Sequence, residues 1–242
     1  IVLVILRTFF CIIITDEVFN IGQALRTIRG NTFLVENWDY FQTGDSFLIP
    51  FLYIFCKITG STEGIVLFSR LVFVALQTLL SVFIYKILSR FFDRMSSFFA
   101  VVIYTTAISF LLFYMWYDNW EIFFRLIGLF LIFYAISSFD QKTSGKAYLM
   151  VFLAGIAHAC MVFAYPTMIA LYVYVLALIF FYRRKQSAKA HNLMALFYIL
   201  GSALVFAVFM LYVLKIGVGN LFIFNSTMAE AGLSSTGREG YL

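Results

Sequence analysis

The sequence predicts an all-α fold: a polytopic transmembrane helical bundle of about seven helices, with interfacial helices in the first extracytoplasmic loop. Three observations predict it. The chain of 242 residues is 63% hydrophobic and only 12% charged, whereas a soluble domain is about 45–50% apolar and about 25% charged. Its mean hydropathy is +0.96. The apolar residues fall in long continuous runs, which excludes the alternating pattern of a closed β-barrel, and the loops between runs alternate in charge.

The runs cover 65–85, 98–116, 122–138, 148–165, 167–182 and 193–214. The two that flank Pro166 are counted as separate spans. The opening run, 1–14, falls short of the about 20 residues needed to cross the hydrocarbon. It begins at Ile1, and no small-residue cleavage site precedes Thr15 and Asp16 as a signal peptide requires. It therefore reads as a first helix that lacks its start. Residues 1–242 then form a single transmembrane domain, the N-terminal part of a longer protein.

One set of loops carries Lys86, Arg90 and Arg94, then Lys142 and Lys146, then Arg183, Arg184, Lys185 and Lys189. The other carries Asp16, Glu17, Glu36, Asp39, Asp45, Glu63, Asp118 and Glu121. Basic loops stay in the cytoplasm, so 15–64, 117–121 and 215–242 are expected on the extracytoplasmic side. The net charge of +5 is dispersed among these loops and gives no nucleic-acid signal. The basic loops meet anionic lipid. Cys11, Cys56 and Cys160 are far apart and form neither a metal spacing nor a disulfide framework.

The first loop, 15–64, is the long one, and long loops tend to carry function. Val18, Ile21, Leu25 and Ile28 recur at helical spacing, predicting an amphipathic helix in the interface plane that Gly30 and Asn31 end. Residues 43–46 read as a turn. The apolar run 47–58 is too short to span and predicts a second interfacial helix, with Pro50 in its first turn.

Several side chains have the chemistry of a site. Asp16 and Glu17 stand where the first helix would leave the membrane: either they cap the next helix, or a carboxylate there takes a proton from an acceptor hydroxyl. Asp118 and Glu121, three residues apart, share a helix face, in a site or in a hydrated hairpin with Trp120 anchored at the interface. Arg125 follows Glu121 by four residues, which permits an ion pair, and Arg70 sits about two turns inside its helix. Charge at that depth marks a functional site unless it snorkels to the interface. His158, among Gly155, Ala157 and Ala159, reads as a packed, hydrogen-bonded histidine. No Walker loop, His-Glu-x-x-His, Gly-x-Ser-x-Gly or Cys-x-x-Cys is present. Asn225, Ser226 and Thr227 fit the N-glycosylation acceptor pattern.

The order of these features resembles a family. A first helix leads into Asp16 and Glu17, an amphipathic helix with Gly22, Ala24 and Leu25, then Arg29 and Gly30. Phe47, Leu48, Ile49, Pro50, Phe51, Leu52 and Tyr53 follow, then Gly60, and Arg70 in the next helix. A short acidic turn stands at 117–121, and Gly155, Ile156 and Ala157 lead towards Tyr165, Pro166 and Thr167. This resembles the N-terminal module of the polytopic GT-C glycosyltransferases, in the branch of the protein O-mannosyltransferases and aminoarabinose transferases, over roughly residues 1–185. Tyr165 departs from it, standing where relatives commonly have a basic residue.

The resemblance implies an enzyme of a bacterial inner or plasma membrane. It would transfer a hexose or pentose from a polyprenyl-phosphate-linked donor to a glycan, lipid or protein acceptor on the extracytoplasmic side. Asp16, with Glu17, would be the catalytic base or acceptor-orienting group. Arg70 and Arg125 suit a lipid phosphate in the headgroup layer, and Asp118 and Glu121 an oxocarbenium-like transition state. Expected partners are membrane lipid, donor and acceptor. No metal ligands are assigned, and a divalent cation is left open as a cofactor. The competing classes are a transporter, in which Arg70, Arg125, Glu121 and His158 line a pathway, and a non-catalytic membrane subunit.

Overall fold

The computed structural model describes residues 15–36, 43–111, 116–139, 144–181 and 188–220. Within them the chain is all helix and turn: α1 (Thr15–Ile28), a 3-10 turn (Thr43–Phe47), α2 (Ile49–Thr59), α3 (Ile65–Leu88), α4 (Arg94–Leu111), α5 (Tyr117–Phe139), α6 (Ser144–Ala164), a 3-10 turn (Pro166–Met168), α7 (Ile169–Phe181) and α8 (Ala188–Ile216). The expected opening helix and the glycosylation pattern lie outside the described residues.

Four helices among the described residues are long and apolar enough to cross a membrane: Ile65–Leu88, Tyr117–Ser137, Gly145–Ala164 and Asn192–Ile216. Each corresponds to an expected span, and the chain is an integral membrane protein on this ground. Of two further expected spans, one runs past the described residues and one has a different form. α4 begins at Arg94 and is described for 18 residues, to Leu111. The segment after Pro166 is a 3-10 turn followed by the 13-residue α7. Such an α-helix is about 20 Å long, short of the about 30 Å hydrocarbon thickness.

α1 turns its polar side inward. Glu17, Asn20, Ile21, Gln23 and Ala24 are buried, while Val18 and Phe19 are 50% and 49% exposed. The spacing predicts Val18 on one face with Ile21; the structure turns Val18 outward instead. An apolar residue pointing away from the protein is expected where the surroundings are lipid. The helix ends in a Schellman motif: Gly30 has φ 111°, its N–H donates to Thr27, and the Asn31 N–H donates to Arg26. α2, with Pro50 in its first turn, follows the same logic. Leu52 is buried, while Tyr53, Ile54 and Ile58 point outward.

α5, α6 and α8 form the most extensive helix contacts, and small residues allow them. A Cβ on Gly155 would stand 2.1 Å from the Tyr198 carbonyl oxygen, and one on Gly201 would stand 2.1 Å from that of Phe152. The two backbones therefore touch, as small residues permit inside a bilayer. Ser202 Oγ donates across the same crossing to Gly155 O at 3.0 Å. α3 and α4 are joined by polar contacts: Tyr104 Oη donates to Gln77 Oε1 at 2.7 Å, and the Ser81 and Thr105 hydroxyls are 3.1 Å apart.

Contacts of the first loop fix which helix ends lie together. Glu17 meets Arg70, two turns into α3. Gly44 lies against the backbone of Tyr117, the first residue of α5. Thr43 Oγ1 donates to Phe163 O at the end of α6, and Tyr212 Oη donates to Phe33 O at 2.7 Å near the end of α8. The starts of α3 and α5 and the ends of α6 and α8 thus gather around the first loop, as the alternation of loop charge requires.

Candidate functional site: the acidic end of the bundle

α1 brings the first-loop acids to the bundle, and Glu17 is the residue it places inside. Arg70 Nε donates to Glu17 Oε1 at 2.7 Å, and Nη2 donates to Oε2 at 2.6 Å. The side chains are 7% and 1% exposed. Two parallel bonds from a planar guanidinium to a carboxylate are the geometry for which arginine is suited. Arg70 therefore neither snorkels nor faces lipid; it points inward, as expected. Asp16 occupies the first turn of the same helix, and its side chain lies outside the described residues.

Two residues of α1 that the sequence analysis passed over belong with Glu17. Asn20 and Gln23 are 1% and 6% exposed and follow Glu17 at intervals of three along one face. Both side-chain polar atoms of Asn20 lack a hydrogen-bond partner among the described residues. The signal was present in the sequence as a polar series, Glu17, Asn20 and Gln23, at intervals of three within the helix. Gly22, also on α1, has open space around it.

The second acidic group starts α5. Asp118 is half-buried in the first turn, and Asn119 and Glu121 are buried. Arg125 Nε stands 3.2 Å from Glu121 Oε1, with the arginine side chain 34% exposed. The i,i+4 pair expected from spacing is formed. Trp120, which the hairpin alternative would anchor at the interface, is 3% exposed and packs with Phe47 at 5.4 Å and Phe124 at 5.8 Å between ring centroids. It belongs to the same apolar cluster as Ile21, Ala24, Leu52 and Phe73, which joins α1, α2, α3 and α5 beneath the acids.

His158 is held inside the bundle, as its small neighbours predict. It is fully buried, with Nδ1 2.7 Å from Tyr198 Oη and Nε2 3.3 Å from Arg125 O. A carbonyl only accepts, so the proton belongs on Nε2 and the Tyr198 hydroxyl donates to Nδ1. The ring fills the place a side chain at Gly128 would take. It ties α5, α6 and α8 together, and it ties them through the backbone of Arg125.

Beside this end lies an apolar groove of about 390 Å³ between α6, α7 and α8, roofed by Leu34 and Thr43 of the first loop. Among the described residues no three His, Cys, Asp or Glu side chains gather as a metal site would require.

In comparisons with protein-family models, curated protein sequences and solved structures, none matches this chain.

Proposed function

We propose that the protein is a membrane glycosyltransferase that moves a sugar from a polyprenyl-phosphate-linked donor to a hydroxyl of a glycan, lipid or protein acceptor at the first-loop face. The observation that carries this reading is the Glu17–Arg70 pair. It holds α1, whose first turn bears Asp16, against α3 at the first-loop end of the bundle, the end at which α5 begins with Asp118 and Glu121.

The chemistry divides among these residues. Glu17 is committed to Arg70, which makes it a positioning group and leaves the role of base to Asp16. The Asp16 carboxylate takes the acceptor proton as the acceptor oxygen bonds to the anomeric carbon. The bond from that carbon to the phosphate oxygen breaks, and the phosphate leaves with the electron pair. Its low proton affinity removes the need for a general acid. Arg125, partly exposed beside Glu121, meets the lipid phosphate, and the α5 carboxylates favour the positive charge developing on the sugar.

Incorporation of label from polyprenyl-phosphate sugars into membranes holding the protein tests this reading. Asp16→Asn keeps much of any capping ability but removes the carboxylate. Its transfer rate should fall about 10²–10⁴-fold, the usual contribution of a positioned base. Undiminished transfer in a well-folded Asp16→Asn protein would refute the assignment.

A further inference from the structure

We propose that Arg26, Arg29, Lys57 and Lys215 form a cationic collar that binds the phosphates of anionic phospholipids in the leaflet on the first-loop side. No sugar and no transfer step enters it, so it stands apart from the transferase reading. The ground for it is that this end sorts its charges by depth. Glu17 and Glu121 are 1% and 4% exposed, and each is paired with an arginine. The four cations are exposed instead, and none of them forms an ion pair among the described residues. Among those residues the exposed carboxylates of the same end are Glu36 and Glu63, and that of Glu36 accepts the Thr32 N–H. The end that is acidic by sequence therefore presents more positive than negative charge at its described surface.

The cations stand on the sides of their helices that point away from the protein. Arg26 follows Phe19 by seven residues and Arg29 follows Val18 by eleven, intervals that return to one side of a helix. The Arg29 N–H still donates to Leu25 O at 3.0 Å, so the register of α1 reaches it. On α2, Lys57 lies among the outward Tyr53, Ile54 and Ile58, its Nζ 5.7 Å from the Tyr53 ring centroid. On α8, Lys215 shares a side with the outward Leu211, Leu214 and Val218. It stands one turn beyond Tyr212, whose hydroxyl donates to Phe33 O, four residues past Arg29. Three helices thus repeat one pattern, an apolar outward side with a cation in the last turn.

Two simpler accounts leave this pattern unexplained. A helix dipole is served by a cation on any side of the last turn, whereas here all three helices turn it outward. The rule that keeps Lys and Arg in the cytoplasm calls for none of these four. Apolar neighbours mean that acyl chains are near, and the cations then decide which headgroups suit them. Long stems carry their heads to the headgroup layer, where phosphate oxygens accept charge-assisted hydrogen bonds. A zwitterionic lipid cancels its own phosphate charge, so the anionic lipids gain most. A soluble polyanion fits less well, because Lys57 and Lys215 are flanked by apolar side chains that water would have to cover.

Cross-linking at headgroup depth decides it. The full chain is reconstituted in vesicles of phosphatidylcholine and phosphatidylglycerol, with one or the other lipid carrying a diazirine beside its phosphate. Labelling of the segments holding the four cations is divided by labelling of the turn after α3, whose Arg90 and Arg94 stay unchanged. The phosphatidylglycerol probe should exceed the phosphatidylcholine probe at these segments. Changing all four cations to Gln should cut that excess about tenfold or more, at roughly fivefold for each cation near an anionic surface. Should the quadruple variant fail to fold, Arg26→Gln with Arg29→Gln decides. Arg26→Lys with Arg29→Lys keeps the charge and should keep the excess. Equal labelling by the two probes in the parent, or an excess that survives the Gln substitutions, overturns the proposal. Equal labelling together with binding of dextran sulfate would give the surface to a soluble polyanion instead.

Discussion

Arg70 holds Glu17 across 53 residues of sequence by two hydrogen bonds, with both side chains buried. Breaking such a pair strands a charge where water cannot reach it, which typically destabilises by about 3–5 kcal/mol. Glu17→Gln should therefore lower the unfolding midpoint of the detergent-solubilised protein strongly. The double variant Glu17→Gln with Arg70→Met should recover much of the loss. A Glu17→Gln protein as stable as the parent would mean that the pair holds nothing together.

Two glycines should respond oppositely to alanine. Gly201→Ala sets a Cβ 2.1 Å from a backbone carbonyl, so α6 and α8 must separate, at a cost of about 1–3 kcal/mol for overpacking. Gly22 has nothing within 4 Å and sits inside α1, where alanine is the better helix former by roughly 0.5–1 kcal/mol. Thermal unfolding of the two variants should shift down and up respectively. A common direction would contradict the close crossing.

If Arg125 meets the donor phosphate, Arg125→Gln should reduce kcat/KM by on the order of 10–100-fold, the equivalent of losing a hydrogen bond to a charged group. Most of the loss should appear in the KM for the donor. The acceptor KM should stay near its parent value. A loss confined to the acceptor would remove Arg125 from the phosphate role.

The start of α4 carries a pH dependence. The Ser96 N–H donates to Asp93 Oδ1 at 2.9 Å, and hydrogen bonds from Ser96 hold the exposed carboxyl below its usual range. Its contribution is therefore complete above the ordinary carboxylate pKa and disappears as pH falls through the lowered one. Amide exchange at residues 94–97, corrected for its intrinsic pH dependence, should lose protection only in that acidic range. Asp93→Ala should lose it at every pH.

The predicted sidedness has a direct check. Glu63 and Asp93 are exposed at opposite ends, so Glu63→Cys should react with a membrane-impermeant maleimide from outside whole cells. Asp93→Cys should react only after permeabilisation. Gly44, in the same loop, is unsuited, because a Cβ there would stand 2.7 Å from Tyr117 Cα.

The sequence carried the elements better than their partners. Runs of apolar residues located α3, α5, α6 and α8, because length in the hydrocarbon is a local property. Gly30 and Pro50 marked boundaries for equally local reasons. The inward depth of Arg70 was legible, but its partner was not, since a pair 53 residues apart leaves no spacing to read. α1 shows the other limit. Its period predicts a helix, but whether Val18 faces protein or lipid depends on the medium around it. The segment after Pro166 is apolar throughout, and apolarity alone did not reveal that the helix there would be short. Small residues around His158 announced close packing; nothing local pointed to Tyr198, 40 residues on.

The clasp from Thr43 to Phe163 spans 120 residues, and that from Tyr212 to Phe33 spans 179. A ribosome makes the loop end of each long before its partner, so the first loop must wait outside the membrane while the later helices are inserted. A loop that emerges before α3 is thus completed only after α8, and during that interval it is open to proteases and to chaperones. A chain arrested before Tyr212 would carry inserted helices beneath an unfastened loop. Assembly of this end is therefore a record that synthesis has passed α8.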